Sequence, residues 1–469
     1  MSTTIVNTKV ASYRGSKRLW MEGAKLQRNG FIPGASFSVA KNDVEKSITL
    51  IIDPNGKFSV AERNKNNPDK PSKPIIDLKR QGVLGSFKEE QLVRATIYKN
   101  KIVVTIHQQE FKEKGRVERL RRKLQTKTPL DVCSLFHGGG VLDSAIHCGL
   151  KKSKVSSRVS IAVEIEPKYL DSSLRNNKEL FDSNSLIIES DIRHVDVLKN
   201  QTTTCDILIG GIPCTGASKG NRNGITKPKG GSTESHVDSG ALFYYFLNFV
   251  QSLEPSCIVL ENVREFSNSA SMQVINSVLD FLGYHVQQRI FGGNEFGTLE
   301  DRYRLGLVAI SKDITGFDID DVLPCRLKED DLAAILEEVS LDSTRWKELA
   351  YLTAKVEREK KAGKAVFKPQ ILTGAESKCG VIGRQYHKYR VTEPMIAHPK
   401  NDKLKRLFTP TEHCLVKGIP PFIISGNSDT ISHEILGQSV SYPVFEELAY
   451  TLGKSLNEWA KDTNVDLAA

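Results

Sequence analysis

The sequence has no Cys-x-x-Cys pair and no ladder of alternating cysteines and histidines. Its eight cysteines are scattered between Cys133 and Cys414. This argues against a disulfide framework and a structural zinc, and it fits a reducing cytoplasm. No signal-like apolar core opens the chain, and no apolar run approaches membrane-spanning length, so no membrane partner is expected. What the chain does have is length and unevenly placed charge. Its 469 residues suffice for two or three domains with real cores. The net charge is +10, yet residues 1–127 hold 27 Lys and Arg against 12 Asp and Glu, leaving the remainder at −5. A basic appendage on a mildly acidic body points to a polyanionic partner, with a surface kept basic for solubility as the plainer alternative.

The first 110 residues read as a β-rich unit. Short β-branched runs at Ser36–Ala40, Ser47–Ile52, Leu92–Tyr98 and Ile102–Ile106 are punctuated by Asn29-Gly30, Pro33-Gly34, Asp53-Pro54-Asn55-Gly56 and Lys99-Asn100-Lys101. Asn64–Lys73 is polar and proline-containing, which suggests a flexible loop. Residues 111–127 carry many Arg and Lys, with Val117, Leu120 and Leu124 at helical spacing, so a basic amphipathic linker helix is predicted. It is either a solvated face or a phosphate-contacting one.

From Pro129 strands alternate with helices. Strands are predicted at Leu130–Leu135, Arg158–Val163, Ser185–Ile188, Asp206–Ile209, Cys257–Leu260, His285–Ile290 and Leu305–Ile310, with helices at Leu170–Asn177, Ala241–Ser252 and Met272–Leu282. The fold class is therefore α/β, a doubly wound and mostly parallel sheet of Rossmann type, with ligands at the carboxyl ends of its strands.

Those strand ends carry chemistry. The first runs into Phe136-His137-Gly138-Gly139-Gly140, where glycine permits a tight turn and close approach of a ligand. The dinucleotide fingerprint is not matched, because Asp143 stands where its third glycine belongs. The second strand ends in Glu164 and the third is followed by Asp191. Two strand-end carboxylates beside a glycine turn describe an adenosine pocket without a strong pyrophosphate grip, which favours S-adenosylmethionine over NAD. The run Cys205–Cys214 reads as a buried strand that breaks at Gly210-Gly211 and presents Cys214 behind the stiff Pro213. A buried structural cysteine is the plain reading of such a Pro-Cys; a strand-end nucleophile is the other. Glu261-Asn262-Val263 and Glu300-Asp301-Arg302-Tyr303-Arg304 flank two further strands, and either could be no more than a structural ion pair.

Taken in order, Phe136-x-Gly138-x-Gly140, Glu164, Asp191, Pro213-Cys214, Glu261-Asn262-Val263, Arg302-x-Arg304, Arg406-Leu407-Phe408-Thr409-Pro410-Thr411-Glu412 and Gly437-Gln438-Ser439-Val440 resemble the C5-cytosine DNA methyltransferase family. The resemblance covers about residues 127–469, apart from a variable stretch near 313–400. It departs from the family pattern at Val141, Thr215, Ala217, Glu300 and Gln438.

The resemblance implies a DNA (cytosine-5-)-methyltransferase using S-adenosylmethionine, in which Cys214 adds to C6 of a flipped cytosine in double-stranded DNA. It gives Glu261 the N3 edge, Arg302 the O2 edge and Arg304 a supporting place. It puts Phe136, Gly138, Gly140, Glu164, Ile165, Asp191, Ile192, Pro213, Gln438 and Ser439 around the cofactor. Thr215, Ser218, Lys219, Arg222 and Asn262 are assigned to the substrate or to the glycine-rich lid 215–240. A thiolate is needed because C5 of cytosine is too weak a nucleophile until addition at C6 makes it an enamine carbon. The expected domains are 1–110, a linker at 111–127, a catalytic domain at 128–312, a target-recognition domain at 313–405 and closing catalytic motifs at 406–469. The recognition stretch is expected to open with an acidic helix at Asp318–Val339.

The N-terminal run from Arg18 to Gly34 resembles small toxin or transition-regulator domains built from swapped hairpins, which bind nucleic acid. A cytoplasmic protein of prokaryotic or phage context is expected, with a cognate restriction endonuclease open as a partner. An RNA cytosine methyltransferase and a regulator with an inactive catalytic core are the other functional readings.

Overall fold

Seven strands pair into one sheet: β1 (Leu130–Leu135), β2 (Ser157–Glu164), β3 (Leu186–Glu189), β4 (Ile207–Gly211), β5 (Cys257–Val263), β6 (Tyr284–Gly292) and β7 (Tyr303–Ser311). Their spatial order is 3-2-1-4-5-7-6. Strands β1 to β5 are parallel, and only β7 runs against its neighbours β5 and β6. The computed structural model describes residues 3–64, 72–79, 82–196, 203–213, 234, 236, 239–362 and 369–462.

The pleat explains why these strands read as continuous apolar runs. Leu130, Val132, Ile207, Ile209, Cys257 and Val259 enter one core, whereas Cys133, Leu135, Leu208, Ile258 and Leu260 enter a second on the opposite face. A strand buried on both faces has no polar side to alternate with. Besides one helical turn at Ala24–Gln27, the α-helices among the described residues are α1 (Gln108–Thr126), α2 (Val141–Lys152), α3 (Pro167–Asn176), α4 (Leu242–Leu253), α5 (Ala270–Phe281), α6 (Ala350–Lys361), α7 (Pro410–Val416), α8 (Asp429–Gln438) and α9 (Tyr442–Lys461). Residues of α2 and α9 fill the first core; residues of α4 and α5 fill the second.

The chain divides into two units, Met1–Gly115 and Arg116–Thr463. The first is mostly β around one core, with one helical turn at Ala24–Gln27 and the start of α1. A six-stranded sheet orders Thr4–Lys9, Leu92–Tyr98, Lys101–Ile106, Ser47–Ile52, Ser36–Asn42 and Phe58–Ser59, and a four-stranded sheet joins Ala11–Tyr13, Ser16–Glu22, Lys73–Leu78 and Ala61–Arg63. The expected loop at Asn64–Lys73 lies mostly outside the described residues.

Three cations in the part of α1 that belongs to the second unit are turned to buried acids. Arg116 is buried and pairs with Glu254 at 3.0 Å; Arg119 pairs with Asp206 at 3.0 Å; Lys123 bridges Asp131 at 2.6 Å and Asp206 at 2.5 Å. Asp206 is fully buried, so these cations neutralise a core acid, and the phosphate-contacting reading is corrected for all three.

The expected acidic helix at Asp318–Val339 is not formed. The stretch has two short 3-10 turns, Ile319–Asp321 and Leu332–Ile335. Pro324 and the like-charged Glu329-Asp330-Asp331 run oppose a continuous helix, and Leu332, Ile335 and Leu336 instead pack around Leu299, Tyr386 and Phe408. Beyond it, a small sheet pairs Lys347–Glu348, Leu404–Arg406, Pro394–Ala397 and Gln370–Leu372.

Candidate active site

Because β1 to β5 are parallel, their carboxyl ends lie along one edge, and antiparallel β7 begins at that same edge. The topology therefore collects Phe136–Gly140, Glu164, Asp191, Pro213, Glu261, Arg302 and Arg304 there.

The glycine turn uses left-handed backbone at Phe136 (φ 58°), Gly138 (φ 59°) and Gly140 (φ 73°). At Phe136 this costs roughly 1–2 kcal/mol, held by packing of its ring against the second core. Glu164 fixes the turn: its Oε2 accepts from Gly138 N–H at 2.6 Å, and its Oε1 accepts from Glu166 N–H at 2.9 Å. Below, the buried His137 contacts Ser134 and Ser173 at 2.9 and 2.7 Å and Asp143 at 3.1 Å. Burial would lower its pKa, but the Asp143 carboxylate raises it above the ordinary histidine value.

A side chain at Gly139 would overlap Ile435 and one at Gly140 would overlap Ser173, yet nothing lies within 4 Å of where a Gly138 Cβ would sit. The turn is thus closed toward the protein and open at Gly138. A carboxylate offers about four lone-pair sites, so Glu164 keeps acceptor capacity after its two backbone bonds. Open space and a braced acceptor fit the ribose of S-adenosylmethionine. Asp191 accepts from the backbone and guanidinium of Arg193, which holds its carboxyl below the usual range against a smaller burial effect. Ile165 is exposed beyond Glu164, and Ile192 is buried beneath Asp191. Gln438 is exposed at the end of α8, and the buried Ser439 donates to Leu436 O at 2.7 Å.

At the middle of the edge, β4 ends at Gly211 and passes through buried Ile212 to exposed Pro213. Cys214, Thr215, Ser218, Lys219 and Arg222, with most of the expected lid, lie outside the described residues. Asn262 is buried and donates from Nδ2 to Ile212 O at 3.1 Å, so it braces the strand end leading to Cys214. Glu261 pairs with Arg304 Nε at 2.8 Å. Register explains this contact: Glu261 faces Gly306 and Arg304 faces Val263, which makes the ion-pair partners diagonal neighbours on one face. A Cβ at Gly211 would lie 3.5 Å from Glu261 Oε2, so this carboxylate stands over the strand end that precedes Cys214.

Arg302 is placed differently. It is buried, with Nη1 at 3.5 Å from Glu300 Oε1 and 3.4 Å from Ile382 O, and Nη2 at 3.5 Å from Gly437 O. The other oxygen of Glu300 accepts from Lys417 Nζ at 2.7 Å, both residues being fully buried. Burial, with Arg302 beside it, pushes Lys417 down to about 7 despite Glu300. Burial would raise Glu300, but Lys417 and Arg302 hold its carboxyl below the ordinary range. Sequence reading missed Lys417; the signal was a lone cation inside the otherwise apolar run Cys414-Leu415-Val416-Lys417-Gly418-Ile419.

Residues 130–454 match the C-5 cytosine-specific DNA methylase family. The Type II methyltransferase M.NgoFVII of Neisseria gonorrhoeae is 31% identical over 191 residues, covering 40% of this chain and 45% of the relative. M.SsoII of Shigella sonnei is 24% identical over 259 residues, 54% of this chain and 65% of the relative. The chain thus spans about half to two-thirds of the length of these curated relatives. Among solved structures, the S. pombe Dnmt2 methyltransferase is similar in fold, with a TM-score of 0.53 at 20% identity over 69% of this chain and 98% of that one.

Proposed function

Because the chain belongs to the C-5 cytosine-specific DNA methylase family, we propose that it methylates C5 of cytosine in double-stranded DNA, using S-adenosylmethionine. The observation that supports this best is the Glu261–Arg304 pair standing over the strand end that leads to Pro213-Cys214, on the same sheet edge as the Glu164-braced glycine turn.

Phe136, Gly138, Glu164 and Asp191 would hold the cofactor, with Glu164 accepting from ribose hydroxyls. When bound there, S-adenosylmethionine supplies an electrophilic methyl group. The chain's own residues prepare its acceptor. The Cys214 thiolate adds to C6 of a cytosine turned out of the duplex, which pushes electron density to C5. Glu261 meets the N3 edge, where negative charge develops, and works there as a proton or hydrogen-bond donor. Arg304 shares its face with Glu261 and takes the O2 edge in place of Arg302, to which the resemblance assigned it; Arg302 is buried against the Ile382 and Gly437 carbonyls and acts as a positioning residue. Once C5 has bonded the methyl group, a base takes the C5 proton, its electron pair re-forms the C5–C6 double bond, and Cys214 leaves as thiolate.

The basic first unit adds phosphate attraction with little sequence information. A cognate restriction endonuclease is the partner class that the Type II relatives suggest.

Bisulfite sequencing of host DNA with and without the gene tests the reaction. Protected cytosines at one short motif are expected. Activity on transfer RNA with none on duplex DNA would move the proposal to RNA, and activity on neither would favour a regulator.

A further inference from the structure

Three buried charged groups meet where four segments of the second unit converge. Glu300 precedes β7, Arg302 leads into it, Lys417 follows α7, and their partners belong to the recognition stretch and the end of α8. Glu300 Oε1 accepts from Ile382 N–H at 2.8 Å, and Oε2 accepts from Lys417 at 2.7 Å. Arg302 approaches the carbonyls of Ile382 and Gly437, one from the recognition stretch and the other adjoining Gln438. The backbone there is close-packed, since a Cβ at Gly437 would overlap the Gly383 carbonyl.

We propose that Glu300 and Lys417 are positioning residues: their buried ion pair fastens the recognition turn at Ile382 and the Gly437 turn to the start of β7, and thereby sets Arg304 against Glu261. Arg304 lies two residues from Arg302 on a strand whose register with β5 is fixed, so a shift at Arg302 moves the Arg304–Glu261 contact. The charges explain why a carboxylate stands at position 300. Two cations are buried there, and a neutral amide would compensate neither. Lys417 in turn satisfies the carboxylate oxygen that Arg302 and Ile382 leave free.

This rests on the proposed reaction, and the experiment separates the two. E300Q, K417M and the double variant are compared with the wild-type full chain on duplex DNA. Active sites are counted by the covalent adduct formed with 5-fluorocytosine DNA. E300Q offers one acceptor oxygen where Ile382 N–H, Arg302 and Lys417 now share two, so kcat per titrated site should fall at least about tenfold. Adding K417M removes one of those donors and should restore at least about threefold of that loss, the non-additivity expected of groups in contact.

A role in folding alone would reduce the titratable fraction and leave kcat per titrated site unchanged, which would overturn the proposal. Failure of K417M to rescue would do the same. If E300Q yields no titratable protein, K417M alone carries the test: its kcat per site should fall at least about threefold, and a wild-type value sinks the proposal. A wild-type chain that methylates no DNA and forms no adduct would instead overturn the reaction assigned above.

Discussion

Replacing Glu164 by Gln tests the cofactor pocket at its most constrained point. The carboxylate accepts from Gly138 N–H at 2.6 Å through one oxygen and from Glu166 N–H at 2.9 Å through the other. Glutamine presents one oxygen and one NH2 group, so one backbone N–H must face a donor. The lost bond is charge-assisted and nearly buried, worth about 1.5–3 kcal/mol. If the turn is needed in this conformation to receive the cofactor, that loss appears in binding and weakens S-adenosylmethionine roughly 10- to 150-fold. The strained Phe136 makes relaxation of the turn downhill, which favours the upper part of that range. Calorimetry gives the affinity and a thermal melt gives the stability of the same sample. An unchanged cofactor affinity with an unchanged melting temperature would refute the bracing argument and the placement of the pocket.

Further outcomes are expected. C214S should abolish methylation while leaving DNA binding intact, and peptide mapping of the 5-fluorocytosine adduct should find Cys214 and no other cysteine. D206A should destabilise the chain by about 3–5 kcal/mol in denaturant unfolding, because it leaves Arg119 without its carboxylate, leaves Lys123 with Asp131 alone and frees the Asp131 N–H. Deleting residues 1–107 should flatten the salt dependence of DNA affinity and leave the methylated motif unchanged; a new motif would mean that this unit reads bases.

The buried His433, 3.0 Å from His413, is pushed by burial from 6.5 down to about 4. The folded state therefore binds fewer protons than the unfolded one in that window, and stability should fall as pH drops from about 6.5 toward 4. H433Q should flatten that slope in unfolding measured at pH 7 and pH 5.

The central strands of the sheet were legible because burial on both faces writes them as apolar runs; the edge strands β3 and β6 are less buried, and β6 carries Gln287, Gln288 and Arg289, yet all seven were located within three residues at each end. The carboxylates and glycines of the edge were legible because they interrupt those runs. Partner choice was not. Nothing in the order of residues says that Arg304 is the diagonal neighbour of Glu261, since that depends on β7 pairing antiparallel to β5 in one register. The basic helix misled for a related reason: Asp206, which neutralises Arg119 and Lys123, lies over eighty residues away in sequence. At Asp318–Val339, composition suggested a helix, and the apolar demand of a distant core pulled the chain into turns.

On the expected target-recognition role of residues 313–405, the touching backbones of Gly437 and Gly383 bear on how such a chain changes its target site. A recognition segment that could be exchanged freely would let one catalytic body acquire new motifs by recombination. Here the seam between them has no room for a side chain at Gly437, and the incoming turn must also present an N–H to Glu300 and a carbonyl to Arg302. Modularity is therefore conditional. A grafted segment should work only if it brings its own turn of this shape, and chimaeras that join the two parts elsewhere should inherit the new specificity together with a misaligned Arg304.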